Sequence, residues 1–244
     1  MTGDAARAIA ERALPLLDLT ELGDACTATR IDALCRDARA GGVAAVCVWP
    51  QFVHQAARAL SGAPVRIATV INFPAGGEDA ERAAADTRAA LRDGAHELDL
   101  VLPYRALLRG DAATAVDLVE AVRAACPNAC LKVILETGTL ATAEAIAAAG
   151  RLALAAGADF LKTSTGKSPV SATPEAAGAL LGVIRTAGRG GLKVSGGLRT
   201  LADAAAYLAI ADRVMGPGWA APATFRIGAS SLFGALVAAR DAVR

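Results

Sequence analysis

Asp159-Phe160-Leu161-Lys162-Thr163-Ser164-Thr165-Gly166-Lys167, then the helical stretch Pro174–Thr186, then Leu192-Lys193-Val194-Ser195-Gly196-Gly197, reads as a strand, its crossover helix and the next parallel strand. The helix starts after Thr173 with proline at its first position and stops before Gly188, as helix punctuation demands. Outward from this unit, short apolar runs alternate with longer alanine-rich, helix-periodic stretches, among them Glu78–Arg92, which ends before Asp93-Gly94. The strand candidates are Leu14–Leu19, Ala44–Trp49, Arg66–Asn72, Glu97–Leu102, Leu131–Thr137, Phe160–Ser164, Leu192–Ser195 and Phe225–Gly228. Their starts lie roughly 22 to 35 residues apart, close to one βα unit each. Eight such units without a break predict a closed (β/α)8 TIM barrel, an α/β fold occupying residues 1–244 as a single domain. Helix Gly3–Ala13 is an extra N-terminal element before the first strand.

Composition narrows the function. The 244 residues are 54% hydrophobic, enough for a sizeable core, yet no apolar run approaches the roughly 18 residues of a membrane span. The start, Met1-Thr2-Gly3-Asp4, leads into an amphipathic helix rather than a signal sequence, so a cytoplasmic location is expected. A net charge of +1 offers no footprint for nucleic acid and no polybasic patch for a membrane. An anionic ligand must therefore be held by a local site. The five cysteines are odd in number and lack zinc-site spacing, so free thiols are expected. His54 falls in a helix and His96 at a strand start, neither with a ligand cluster, so no metal and no cofactor are expected.

Only four of the 25 basic residues are lysine, and all four lie between positions 132 and 193. Lysine can lose its proton and act as a nucleophile, whereas arginine effectively cannot. Catalytic groups of a barrel gather at the C-terminal ends of its strands. Lys162 ends the sixth strand there and suits a nucleophile, the alternative being a lysine salt-bridged inside the barrel. Lys193 stands on the adjacent strand before a glycine pair; two neighbouring amines are one way to activate a Schiff-base lysine, and a phosphate contact is the simpler alternative. Lys132 opens its strand, which places it at the N-terminal end, away from the site, in a structural role.

Asp99 alternates with apolar neighbours in Glu97-Leu98-Asp99-Leu100 and needs a partner, for proton relay or as a structural ion pair. Asp18, at the end of the first strand, could bind a lysine or a substrate hydroxyl, and Cys47 could line the pocket or simply pack. Thr165-Gly166-Lys167-Ser168 superficially resembles a nucleotide P-loop, but Leu161 stands where its first glycine belongs, leaving a small Gly-Lys phosphate contact. Ser195-Gly196-Gly197-Leu198-Arg199 and Gly228-Ala229-Ser230-Ser231 follow strands seven and eight, where barrels often bind phosphate.

Along nearly its whole length the chain resembles the deoxyribose-phosphate aldolase family. The shared stretches, in order, include Leu17-Asp18-Leu19-Thr20, Cys47-Val48-Trp49-Pro50, Asn72-Phe73-Pro74, Glu97-Leu98-Asp99, Pro103-Tyr104-Arg105, Lys132 to Thr137, Phe160 to Gly166, Gly196 to Arg199 and Gly228 to Ser231. The resemblance implies a class I aldolase that cleaves 2-deoxy-D-ribose 5-phosphate to glyceraldehyde 3-phosphate and acetaldehyde in deoxyribonucleoside catabolism. It implies a Schiff base on Lys162, proton transfer by Asp99 and Lys193, and phosphate contacts from Gly166, Lys167, Gly196, Gly197, Arg199, Ser230 and Ser231. Asp18, Thr20, Cys47 and Thr165 complete the expected substrate-binding set, and a homodimer or higher homo-oligomer is the expected assembly.

Two departures stand out. Glu21-Leu22-Gly23 replaces a stretch where many relatives have asparagine. Many relatives also end in a flexible tail with a tyrosine thought to assist proton transfer, whereas here helix Ser230–Val243 runs to Arg244 and no tyrosine follows Tyr207. Asp99, Lys193 and bound water are then expected to carry that proton. The rival readings are a Schiff-base barrel aldolase with a different aldehyde donor and a non-catalytic phosphate-ligand sensor.

Overall fold

The computed structural model describes residues 2–242. Eight parallel strands close into a TIM barrel in sequence order: β1 Leu17–Glu21, β2 Ala45–Val48, β3 Arg66–Ile71, β4 Glu97–Val101, β5 Cys130–Ile134, β6 Phe160–Lys162, β7 Gly191–Ser195 and β8 Phe225–Ala229. β8 pairs with β1, so the sheet has no edge. Strands β2, β4, β7 and β8 are buried at every position, the pattern of a parallel sheet covered on both faces. Helix Gly3–Ala13 precedes the barrel, as expected, and its Arg12 pairs with Asp212 on helix Leu201–Met215.

Several expected boundaries move for local reasons. Leu14–Leu16, expected as the start of the first strand, is a 3-10 turn containing Pro15, and β1 begins only at Leu17. The fifth strand ends at Ile134 rather than Thr137, because Glu136 takes a left-handed conformation (φ 55°) and Thr137–Leu140 forms a helical turn. The helix expected from Glu78 begins at Ala80, where the Asp79 side chain accepts from the Arg82 N–H and caps the exposed end. The last helix is Leu232–Asp241 rather than Ser230–Val243; Val243 and Arg244 lie outside the described residues.

The barrel interior is divided. Its inward face on β2 and β3 carries a small apolar cluster, Cys47, Ala68 and Val70 with Leu22, roofed by Trp49 and Phe73. Beside it lie the buried acidic and basic side chains Asp18, Glu97, Asp99, Lys132, Lys162, Lys193 and Arg226. The larger apolar core lies between strands and helices. There Gly150 lets helix Ala143–Ala155 approach so closely that an added Cβ would sit 3.1 Å from both Leu161 and Leu180. Leu161 is fully buried at this contact, so Leu161→Ala should lower unfolding stability by about 2–5 kcal/mol in urea titrations. A loss below about 1 kcal/mol would mean that this seam is loosely packed.

Candidate active site

Register decides which side chains meet inside the barrel. Asp99 on β4 lies beside Lys132 on β5, Lys162 on β6 beside Lys193 on β7, and Lys193 beside Arg226 on β8. All five point inward and are buried, with Lys162 only 3% exposed. Gly228 leaves room for this crowding, since a Cβ there would lie 2.9 Å from Lys193 Cε.

The charged groups form a closed ring of alternating sign. Arg226 Nη1 donates to Asp18 Oδ1 at 2.7 Å, and Asp18 Oδ2 is 2.6 Å from Lys193 Nζ. That second contact is a charge pair without a well-angled hydrogen bond. Lys193 donates to Asp99 Oδ2 at 2.7 Å, and Lys132 donates to Asp99 Oδ1 at 3.0 Å. Lys132 is also 2.6 Å from Glu97 Oε2, and Arg226 Nη2 donates to Glu97 Oε1 at 2.9 Å, closing the circuit. Lys162 hangs from this ring as a seventh group, donating to Asp99 Oδ2 at 2.7 Å.

Burial alone would push the three carboxyls up, because it penalises their charge. For Asp18 the cations Lys193, Arg226 and Lys132 outweigh that cost and hold it at about 2. Asp99 is held well below the ordinary range by its three lysines, and Glu97 is lowered by Lys132 and Arg226. Burial likewise disfavours charged Lys132 and Lys193, but their carboxylate partners win and both are raised. Lys162 alone among these lysines goes down. Burial is the largest cause; Asp99 opposes it, and Lys193 adds to the depression. The nearby cation expected to activate this amine is thus present, but desolvation does more.

Several expectations need correction. Lys132 is not remote from the site: β5 starts at Cys130, and parallel pairing sets Lys132 beside Asp99, within reach of its carboxylate. Of the two partners open to Asp18, the lysine is the one it has: fully buried, it is committed to Lys193 and to Arg226 and does not reach a substrate hydroxyl. For Cys47 the packing reading holds and the substrate contact does not: it is fully buried beside Ala68 and Val70, with its sulfur 4.0 Å from Asp99 Oδ2, and does not line the cleft. Lys193 is sealed beneath the floor, which leaves no place for it as a direct phosphate contact. Glu97 and Arg226 escaped the sequence reading. The period-2 alternation of Phe225-Arg226-Ile227-Gly228 was their available signal, since it turns Arg226 to the same face as Gly228.

Above the charges lies a cleft of about 630 Å³ at the C-terminal ends of the strands, with Lys162 in its floor. Thr20, Thr165, Gly166, Lys167, Gly196, Gly197, Arg199, Ser230 and Ser231 all line it. Gly166 and Gly196 have φ of 79° and 89°, a conformation that costs glycine little, and bring their two loops together. Glu136, also unforeseen, fixes the first loop: its Oε2 accepts from the Thr165 hydroxyl at 2.5 Å, and Thr165 Oγ1 accepts from the Lys167 N–H. Lys167 Nζ reaches Asp24 at 2.9 Å across the cleft mouth. Helix Leu232–Asp241 starts beyond Ser231, so its N-terminal N–H groups face the same end. The arrangement sets a buried amine beneath and glycine- and serine-rich loops above, chemistry suited to imine formation and to holding an anion.

The ion ring gives stability a definite acid limb. Carboxyls lowered in the folded protein contribute stability above their ordinary values of 3.8 and 4.5, and lose it as pH falls through the folded values. The urea midpoint should therefore fall progressively from about pH 5 toward pH 2. A midpoint flat over that interval would contradict the buried ionised carboxylates.

Comparison with known proteins accords with this geometry. The profile of the DeoC/LacD family aldolases matches residues 12–234, a span holding the ring and the cleft. A Coccidioides immitis protein described as a candidate deoxyribose-phosphate aldolase superposes with a TM-score of 0.84 at 32% identity, over 95% of this chain and 86% of that one. An aldolase designated QR15 gives a TM-score of 0.80 at 30% identity, over 92% and 94% of the two chains. The tetrameric deoxyribose phosphate aldolase of Aeropyrum pernix, 24% identical, shares the fold with a TM-score of 0.80 over the full length of both chains. The chain belongs to the DeoC/LacD family of aldolases.

Proposed function

We propose that this aldolase reversibly cleaves 2-deoxy-D-ribose 5-phosphate to D-glyceraldehyde 3-phosphate and acetaldehyde through a Schiff base on Lys162. The observation that carries this reading is the placement of a buried amine of lowered proton affinity in the floor of a cleft whose opposite wall consists of anion-binding loops. A sugar phosphate held by its phosphate at Gly166, Gly196, Gly197 and the Ser231 helix end would reach down to Lys162 with its aldehyde. Arg199 and Lys167 supply cations at the same wall, Lys167 by exchanging Asp24 for phosphate.

The chemistry follows from the groups in place. Neutral Lys162 adds to the aldehyde carbon, and loss of water from the carbinolamine gives a protonated imine. Removal of the C3 hydroxyl proton lets the C2–C3 bond break. Its electron pair flows into the iminium, releasing glyceraldehyde 3-phosphate and leaving an enamine. Protonation of the enamine carbon and hydrolysis return acetaldehyde and the free amine. Asp99 contacts Lys162 directly, and its hydrogen bond to protonated Lys193 gives it a partner for moving these protons. The role fits deoxyribonucleoside catabolism in the cytoplasm. A homo-oligomeric assembly belongs to the same proposal; one structural neighbour, the Aeropyrum pernix protein, is a tetramer.

Borohydride added with deoxyribose 5-phosphate should leave one covalent adduct, on Lys162, and Lys162→Arg should abolish both adduct and turnover, since a guanidinium cannot form the imine. An adduct on another lysine would overturn the assignment. Asp99→Asn and Lys193→Leu should chiefly lower kcat, whereas Ser231→Ala and Arg199→Ala should chiefly raise KM, by about tenfold for Arg199. One shared kinetic pattern for both pairs would erase the division between proton transfer and phosphate anchoring.

A further inference from the structure

Glu97 and Arg226 belong to neither the cleft nor the immediate surroundings of Lys162, yet they complete the ring beneath it. We propose that they are positioning residues which, through the charge balance of that ring, set whether the Lys162 amine carries a proton. The inference rests on the reading of Lys162 as the imine-forming amine.

The ring contains three carboxylates and three cations in strict alternation, so each carboxylate has a cation on either side. It is neutral as it stands. Among the described residues two cations attach from outside: Arg66, largely solvent-exposed, 4.0 Å from Glu97, and Lys162 inside the barrel, where the oxygen it touches, Asp99 Oδ2, already holds Lys193 at 2.7 Å. The groups facing Lys162 are Asp99 from β4, Lys193 from β7 and the Cys47 thiol from β2, which burial keeps protonated; Lys132 from β5 and Asp18 from β1 stand behind Asp99. Lys162 meets the cleft with only 3% of its surface exposed, so solvent screens its charge weakly. A proton on Lys162 therefore makes the cluster one positive charge in excess, and that proton is the easiest to remove.

Changes at the far side of the ring must then be felt at Lys162 with a sign fixed by charge. Glu97→Gln removes an anion and frees Lys132 to bear more fully on Asp99, so Lys162 should give up its proton at lower pH. Arg226→Gln removes a cation; Asp18 and Glu97 then draw harder on Lys193 and Lys132, leaving Asp99 freer to hold the proton on Lys162. The shifts should be opposite and roughly one unit each, for charges within a buried cluster of this size. The double variant restores neutrality and should return toward the wild-type value. A purely structural plug would give no such opposition.

Competitive acetylation of the intact protein with acetic anhydride, read by mass spectrometry of the Lys162 peptide across pH, reports the proton affinity of this amine whether or not an aldehyde is bound. The expected result is an acid shift for Glu97→Gln, an alkaline shift for Arg226→Gln, and near wild-type profiles for the double variant and for Arg226→Lys, which keeps the charge. Shifts of the same sign, or none, overturn the proposal. If neither single replacement folds, a displaced profile in the double variant or in Arg226→Lys still overturns it. Borohydride trapping run in parallel separates the two ideas: opposite shifts without a wild-type adduct would remove the Schiff-base reading alone, and an adduct without shifts would remove the ring alone.

Discussion

One carboxylate, that of Asp99, is shared by three lysines: Lys132 on one oxygen, Lys162 and Lys193 on the other. A buried carboxylate needs compensation, and here it has more than its own charge requires. Two of the lysines have further carboxylate partners, Glu97 for Lys132 and Asp18 for Lys193, while Lys162 has none among its contacts. From that inequality the rest follows. The carboxylate contacts raise the proton affinity of Lys132 and Lys193, whereas burial and the neighbouring Lys193 lower that of Lys162.

The barrel supplies the geometry that makes this sharing possible. Each contributing strand offers one or two inward positions, and a slip of a single residue would turn its charged side chain into the apolar layer beneath the helices. Register errors are therefore penalised twice, by an unpaired buried charge and by a hole in the ring. The apolar half of the interior, Cys47, Ala68 and Val70, presses on Asp99 from the other side and keeps water from diluting the charges. The cleft lies above Lys162, where strand ends and glycine-rich loops line it together with Glu21, and Asp24 pairs with Lys167 at its mouth.

Much of this was legible in the sequence. Eight apolar runs at βα spacing gave the barrel, and the confinement of four lysines to residues 132–193 pointed to an amine chemistry there. The loops around Gly166, Gly196 and Ser230 were also placed correctly at the cleft. What failed was depth. Lys132 looked remote because it seemed to open its strand, but β5 begins at Cys130, and the register sets Lys132 at mid-strand directly beside Asp99. Asp18 looked available because nothing in a linear pattern shows that Arg226, 208 positions away, takes one of its oxygens. Strand periodicity tells which face a residue shares, whereas the partner it meets depends on how eight strands close.

The scarcity of lysine permits a direct test of the central claim, that the ring singles out Lys162 as the amine that gives up its proton. Carbon-13 labelling of lysine Cε yields four signals, one for each lysine, which single replacements assign and whose shifts report protonation as pH is raised. The account predicts that Lys162 titrates below the ordinary 10.5, while Lys132 and Lys193 remain protonated beyond it. Lys193 or Lys132 titrating first, or Lys162 titrating at or above 10.5, would contradict it.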